Sequence, residues 1–181
     1  MNNGKPIRLH LGAHERIDGW TNVNINPGPN VHVVADVSDL SVFADDSVDE
    51  VYASHVFEHL SMNRIGKSLL GVLRLLKPGG RFRIAVPDLD ILTGLLREDL
   101  ITVRGRWEVC RMIYGGDIDE HDRHGCGFTH DLLRECLTEC GFTDVRRVAS
   151  FGLLKDNSEA RFLGYRISLN MEATKPCKPN A

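Results

Sequence analysis

The chain has 181 residues, 42% of them hydrophobic, which suits one domain around a single sizeable core. Its 22 basic and 25 acidic side chains give a formal net charge of −3 without a basic run, which argues against a nucleic-acid partner. No apolar stretch approaches the ~20 residues that cross a bilayer. The opening MNNGKPIRLHLG also lacks the apolar centre of a secretory signal, so no membrane association is expected. The five cysteines, at 110, 126, 136, 140 and 177, are odd in number and scattered. They fit reduced thiols in a cytoplasmic protein better than a disulfide framework.

Residues 7–11 alternate apolar and basic or His side chains and read as a short strand closed by Gly12. Residues 21–25 form a second strand, stopped by Asn26-Pro27-Gly28-Pro29, and residues 31–35 a third, ending at Asp36. Between Leu11 and Thr21 there is no room for a full crossover helix, since a βαβ connection needs about 10–12 residues or more. The first helix is therefore expected to be short or missing. Residues 48–54, VDEVYAS, read as a fourth, buried strand. Ile65, Leu69, Leu70, Leu73 and Leu76 recur at helical spacing, Pro78-Gly79-Gly80 stops that helix, and residues 81–86 give the next strand. Residues 89–96 and 107–113 read as helices. Residues 115–127 form a long polar loop with Asp117, Asp119, Glu120, His121, Asp122 and His124. Thr129 caps a helix over Leu132, Leu133, Cys136, Leu137 and Cys140, which Gly141 terminates. Cys136 and Cys140, one turn apart, read as small thiols on a helix face rather than a metal site. Residues 145–149 and 165–171 are two closing strands, and a disordered tail is expected over 172–181, leaving a single domain over 1–171. Alternating strands and helices predict an α/β fold with a mostly parallel sheet.

Two buried strands joined by a helix, as across residues 48–87, imply a parallel pair with a crossover. Ligands in such sheets bind at the carboxyl ends of strands. His55 and Asp88 both stand at such ends, and His55 is followed one turn later by Glu58 and His59.

The order of these features resembles the class I S-adenosylmethionine-dependent methyltransferases. The carriers are Gly12 after the first strand, Asp36 ending the third, VDEVYASHVFEHL, and LKPGGRFRIAVPD. The closer likeness is to a small, methyltransferase type 11-like branch, in which the first helix is also short and a GGQ-type loop precedes a His-containing turn, as over 114–128 here. The resemblance covers residues 7–171. It implies a Rossmann-like, mostly parallel seven-stranded sheet with helices on both faces and an antiparallel C-terminal strand. It implies S-adenosyl-L-methionine as cofactor, with Leu11, Gly12 and Ala13 beside the methionine moiety, Asn24 at the ribose, and Asp36 and Val37 at the adenine. It also implies that His55 lines the methyl-transfer pocket, with His124 beside the acceptor. Two departures stand out. The glycine-rich loop has become GAHER, and Asn24 replaces the usual acidic residue, offering one acceptor and one donor group where a carboxylate accepts from both hydroxyls.

The resulting expectation is methyl transfer to a small-molecule or saccharide-like acceptor. His55 and His124 are the candidate catalytic residues, as base or orienting group, because imidazole titrates near neutral pH. His10, His32 and His130 read as structural. HVFEH also matches the H-x-x-E-H zinc pattern, giving a zinc hydrolase using His55, Glu58 and His59 as a lesser alternative. That motif belongs inside a long helix, whereas His55 follows a strand, so no metal is assigned. A dehydrogenase would need G-x-G-x-x-G opening a helix, which GAHER lacks. A non-catalytic binding module on the same fold is the other alternative, favoured by GAHER and Asn24.

Overall fold

The computed structural model describes residues 5–116 and 122–177. Among them, β1 (Arg8–Leu11), β2 (Thr21–Asn24), β3 (Val33–Val34), β4 (Val48–Ser54) and β5 (Leu76–Pro87) run parallel. The helices are α1 (Met62–Leu75), α2 (Leu89–Leu96), α3 (Val103–Tyr114) and α4 (His130–Glu139). They are followed by β6 (Thr143–Arg147), a small hairpin of β7 (Arg161–Phe162) and β8 (Tyr165–Arg166), and β9 (Ser168–Thr174). The seven-stranded sheet has the order β3-β2-β1-β4-β5-β9-β6, with β9 antiparallel to both its neighbours. The expected α/β, Rossmann-like architecture with one antiparallel strand near the C-terminus is thus observed.

One face of the sheet is apolar. Leu9, Leu11, Val51, Phe82, Ile84, Leu169 and Met171 project from it onto α1 and α4, which contribute Ile65, Leu69, Val72, Leu75, Leu133 and Leu137 to the same core. The spacing 65-69-72 puts these side chains on one helix stripe. Leu69 is fully buried, so truncation to Ala should cost about 2–5 kcal/mol. A second, smaller cluster joins α2 and α3 through Leu92, Leu95, Ile101 and Val109, with Phe162 and Ile167 packed against it.

The helix α1 ends at Leu75 and runs straight into strand: Leu76 is already extended (φ −65°, ψ 141°). Pro78-Gly79-Gly80 therefore lies inside β5 rather than ending the helix. Proline disfavours helical geometry at the residue before it. The extra residues are absorbed by a register shift against β4 between Val48 and Glu50, and Gly79 N–H donates to the Lys175 carbonyl at 2.9 Å.

The first crossover has no helix, as its length predicted, and neither do the next two: residues 12–20, 25–32 and 35–47 are turns and irregular chain. The helices expected on both faces are thus missing over β1–β3. Side chains take over their work. Asn22 Nδ2 donates to the Glu15 carbonyl at 2.9 Å, Asn24 Nδ2 to Ala13 at 3.1 Å, and Asn30 Nδ2 to His14 at 3.2 Å. Carbonyls that a helix would satisfy internally are satisfied by amides instead.

The opposite sheet face is polar. Across β1, β4, β5, β9 and β6 runs a chain of ion pairs: Arg8–Glu50 (3.4 Å), Glu50–Arg83 (2.7 Å), Arg83–Glu172 (3.1 Å) and Glu172–Arg146 (2.6 Å). Each inner charge has opposite charges on both sides, which half-buried ions require. The ladder also corrects the tail boundary. The strand continues through Thr174, because Glu172 is a rung and Ala173 a core residue. Beside the ladder, His10 stacks on Tyr52 with ring centroids 5.1 Å apart, and Tyr52 Oη donates to Asp156 Oδ2 at 2.7 Å.

Candidate functional site

The register brings the carboxyl ends of four strands level: Leu11 pairs with Val23 and Ala53, and Asn24 with Val34. A cleft of about 330 Å³ opens there. Leu11, Gly12, Asn24, Asp36, Val37 and His55 line it, joined by His14, Val56, His59, Arg64 and Asp122. Of the residues expected near it, Ala13 is buried behind the wall, its N–H donating to the Val23 carbonyl at 3.2 Å. His124 does not line the cleft; it stands one ring further out, edge-on to His59 at 4.8 Å. Asp88 lies outside it altogether, fully buried, capping α2 through Ile91 N–H and pairing with Arg147 at 2.6 Å. His121, Asp117, Asp119 and Glu120 lie outside the described residues.

Gly12 has φ +68°, and a Cβ placed on it would meet Val56 Cγ2 at 2.2 Å. Only glycine lets the β1 loop pass under the β4 loop. His55 is left-handed too, at φ +54°, though it is not a glycine. A residue with a Cβ adopts that geometry at a cost of about 1–3 kcal/mol, and such strain gathers at functional sites. The His55 ring is anchored at Nε2. Ser168 Oγ donates to the Asn157 carbonyl at 2.5 Å, so it accepts from His55 Nε2–H, 2.8 Å away. His55 Nδ1 stands 3.1 Å from Glu58 Oε1.

Asn24 is 6% exposed and tied inward at both ends of its amide. Besides donating to Ala13, it accepts the Asn26 N–H on Oδ1 at 3.0 Å. One lone pair and one N–H are left for a ligand. Asp36 accepts from Ser38 N–H at 2.8 Å and from the Arg64 guanidinium at 2.8 Å. Partial burial alone would raise its carboxyl; the Ser38 and Arg64 hydrogen bonds outweigh that and hold it below the usual carboxylate range. Arg64, on the first turn of α1, is a cleft residue that no motif in the sequence marks.

Beside the cleft, the 3₁₀ turn Phe57–His59 is clamped to the loop after α3. Gly125 N–H donates to the Glu58 carbonyl at 2.7 Å, and Cys126 N–H donates to it at 3.2 Å. A Cβ on Gly125 would meet the Leu60 carbonyl oxygen at 2.5 Å, so the close approach needs glycine. Glu58 is 1% exposed, and neither carboxylate oxygen has a well-aligned hydrogen bond; the His55 contact is near enough but poorly directed. Burial, opposed by Glu58 and reinforced by His59, holds the His124 imidazole below the ordinary histidine range. Burial, with the Glu58 charge adding to it, pushes the Cys126 thiol up to about 12, which excludes a thiolate at neutral pH. The H-x-x-E-H pattern does not form the helix face a zinc hydrolase requires. His55 is itself left-handed, His59 sits in a 3₁₀ turn, and the His55 ring turns toward Ser168.

A family model described as "Methyltransferase domain" matches residues 16–84. No curated protein matches the chain. Among solved structures, an S-adenosylmethionine-dependent methyltransferase from Archaeoglobus fulgidus aligns over 95% of this chain and 87% of its own, with a TM-score of 0.63 and 19% identity. The Burkholderia thailandensis 1,6-didemethyltoxoflavin-N1-methyltransferase, with bound 1,6-didemethyltoxoflavin and S-adenosylhomocysteine, aligns over 96% of this chain and 72% of its own (TM-score 0.60, 21% identity). A Methanosarcina mazei S-adenosylmethionine-dependent methyltransferase covers 96% and 94%, with a TM-score of 0.58 and 16% identity. The family match and the fold bear out the resemblance drawn from the residues.

Proposed function

We propose that this chain, which has the fold of the class I S-adenosylmethionine-dependent methyltransferases, carries a methyl group from S-adenosyl-L-methionine to a small-molecule or saccharide-like acceptor. The observation that carries the reading is the convergence of Leu11, Gly12, Asn24, Asp36, Val37 and His55 on one cleft. The residues fit the cofactor. Apolar walls from Val23, Ile25, Ala35 and Val37 suit a flat base, and the missing side chain at Gly12 leaves backbone exposed for a carboxylate. Asp36, kept ionised, is the acceptor for donors on the base or sugar, and Asn24 offers its one spare lone pair to a ribose hydroxyl. When bound, the cofactor supplies an electrophilic sulfonium methyl whose sulfur departs neutral. The protein's part is then chiefly alignment, which contributes up to about 7–11 kcal/mol in favourable cases. His55, anchored by Ser168, orients the acceptor at the cleft wall, and His124 assists from beyond His59. The neighbour with a bound small heterocycle supports a small acceptor by analogy of fold.

The five cysteines are unpaired, which suits a reducing cytoplasmic compartment, and no described helix is long and apolar enough to cross a membrane. A second reading, a binding module without turnover, is favoured by the inward-tied Asn24 amide. Isothermal titration with S-adenosylhomocysteine tests the first step: saturable heat is expected, with Asp36→Ala weakening it at least about tenfold, or ~1.4 kcal/mol. No heat at millimolar ligand overturns the cofactor reading. Binding without S-adenosylhomocysteine release across polyol, sugar and heterocycle panels favours the binding module.

A further inference from the structure

One ring nitrogen of His59, one of His124 and a carboxylate oxygen of Glu58 lie within 4.8 Å of one another, next to the cleft that His59 lines. These residues come from the turn after β4 and from the loop after α3, so the chain has folded back to bring them together. We propose that Glu58, His59 and His124 form a binding site for a divalent transition-metal ion, with zinc as the reference occupant.

Three observations support it. The donor set is chemically right: two imidazoles and one carboxylate is a known complement for zinc, with coordination positions left open. Each histidine ring is already held by a backbone carbonyl at Nδ1. His124 Nδ1 faces the Ile113 carbonyl at 3.1 Å and His59 Nδ1 the Arg123 carbonyl at 3.3 Å. A carbonyl only accepts, so each Nδ1 carries the proton and each Nε2 keeps its lone pair. Backbone carbonyls serve metal-bound histidines in this way, fixing tautomer and ring orientation. The third observation is the Glu58 carboxylate, 1% exposed and lacking a well-aligned donor at either oxygen. A buried carboxylate left in that state is costly, and a cation beside it removes the cost. Zinc bonds of about 2.0–2.1 Å place tetrahedral ligands about 3.3 Å apart, so the cluster would close by less than about 1.5 Å on the ion. His59, which lines the cleft and has the longer of the two carbonyl contacts, would make most of that movement.

The grouping differs from the zinc pattern visible in the sequence. There His55 and His59 would be the ligand pair and Glu58 the base; here Glu58 is a ligand and His124, 65 residues beyond His59 in the chain, replaces His55. The test is independent of methyl transfer, since it is read without cofactor. The full chain, stripped with chelator and dialysed, is titrated calorimetrically with zinc chloride. One ion per chain with Kd below about 1 μM is expected. His59→Ala and His124→Ala should each weaken it at least tenfold, and a Cys136→Ser/Cys140→Ser double variant should leave it unchanged. Cobalt loading should give ligand-field bands without thiolate charge-transfer absorption. Far-UV circular dichroism of the stripped variants checks folding, and His59→Ala, half-exposed, is the variant least exposed to misfolding. No heat at about 100 μM zinc, unaltered binding in both histidine variants, or loss in the cysteine variant each overturns the site.

Discussion

Gly12→Ala is the sharpest test of how the cleft is built. Two costs add. At φ +68° a residue with a Cβ loses about 1–2 kcal/mol relative to glycine. The new Cβ would also stand 2.2 Å from Val56 Cγ2, and overpacking of this kind costs about 1–3 kcal/mol. The expected loss is therefore about 2–5 kcal/mol, read as the fall in urea-unfolding free energy at unchanged slope. Val56→Ala alone should cost roughly 1–2 kcal/mol through lost packing. In the double variant the clash is gone and the backbone cost stays. The pair should therefore be less damaging than the sum of the singles, with a coupling of about 1–3 kcal/mol. The reasoning is refuted if Gly12→Ala stays within about 0.5 kcal/mol of wild type, or if the two substitutions add.

Asn24→Asp would restore the carboxylate usual at this strand end, yet it should lower both stability and S-adenosylhomocysteine affinity. The new oxygen cannot donate to the Ala13 carbonyl, a loss of about 1–3 kcal/mol at a 6% exposed position, and tighter binding would contradict the inward-tied amide. His10 is lowered to about 4, chiefly by burial, with Asp156 opposing and His14 adding. The unfolded chain, titrating near 6.5, takes up a proton that the folded chain refuses. Stability present above pH ~6.5 should therefore fall by about 3 kcal/mol as pH drops toward 4. His10→Phe keeps the ring on Tyr52 and should lose that part of the pH dependence; identical wild-type and variant profiles would rule out His10 as its source.

Much of the parallel sheet is legible because β1 announces itself by alternation, β4 and β5 by their buried apolar segments, and the helix α1 by its 65-69-72 stripe. The shortness of the first crossover is legible from residue count alone. What replaces the helix is not, since nothing in the sequence says that Asn22, Asn24 and Asn30 reach back to three carbonyls. The end of the sheet is not legible at Glu172, because a charged residue in a strand reads as a terminus until its partners, Arg83 and Arg146, are known. The cleft residues at strand ends follow from topology. Arg64 does not, because a basic residue on an exposed first turn looks like any solvated helix charge. The pairing of His59 with His124 needs the loop to be docked, and loop docking depends on backbone contacts such as Gly125 to Glu58 that carry no local pattern.

The position of β9 bears on how the molecule assembles. It follows β6 in the chain but lies inside the sheet, hydrogen-bonded to β5 on one side and β6 on the other. During synthesis β1 to β5 can pair in order while the slot beside β5 waits for a segment about 80 residues further along. Such late, non-local pairing is slow and leaves an open edge that invites association with other chains. Ser168, the residue that holds the His55 ring, is the first residue of that strand. The ordering of the reactive wall is thus tied to the last step of sheet closure, so a chain stalled before that step would be structured around β1–β5 yet lack the hydroxyl that fixes His55.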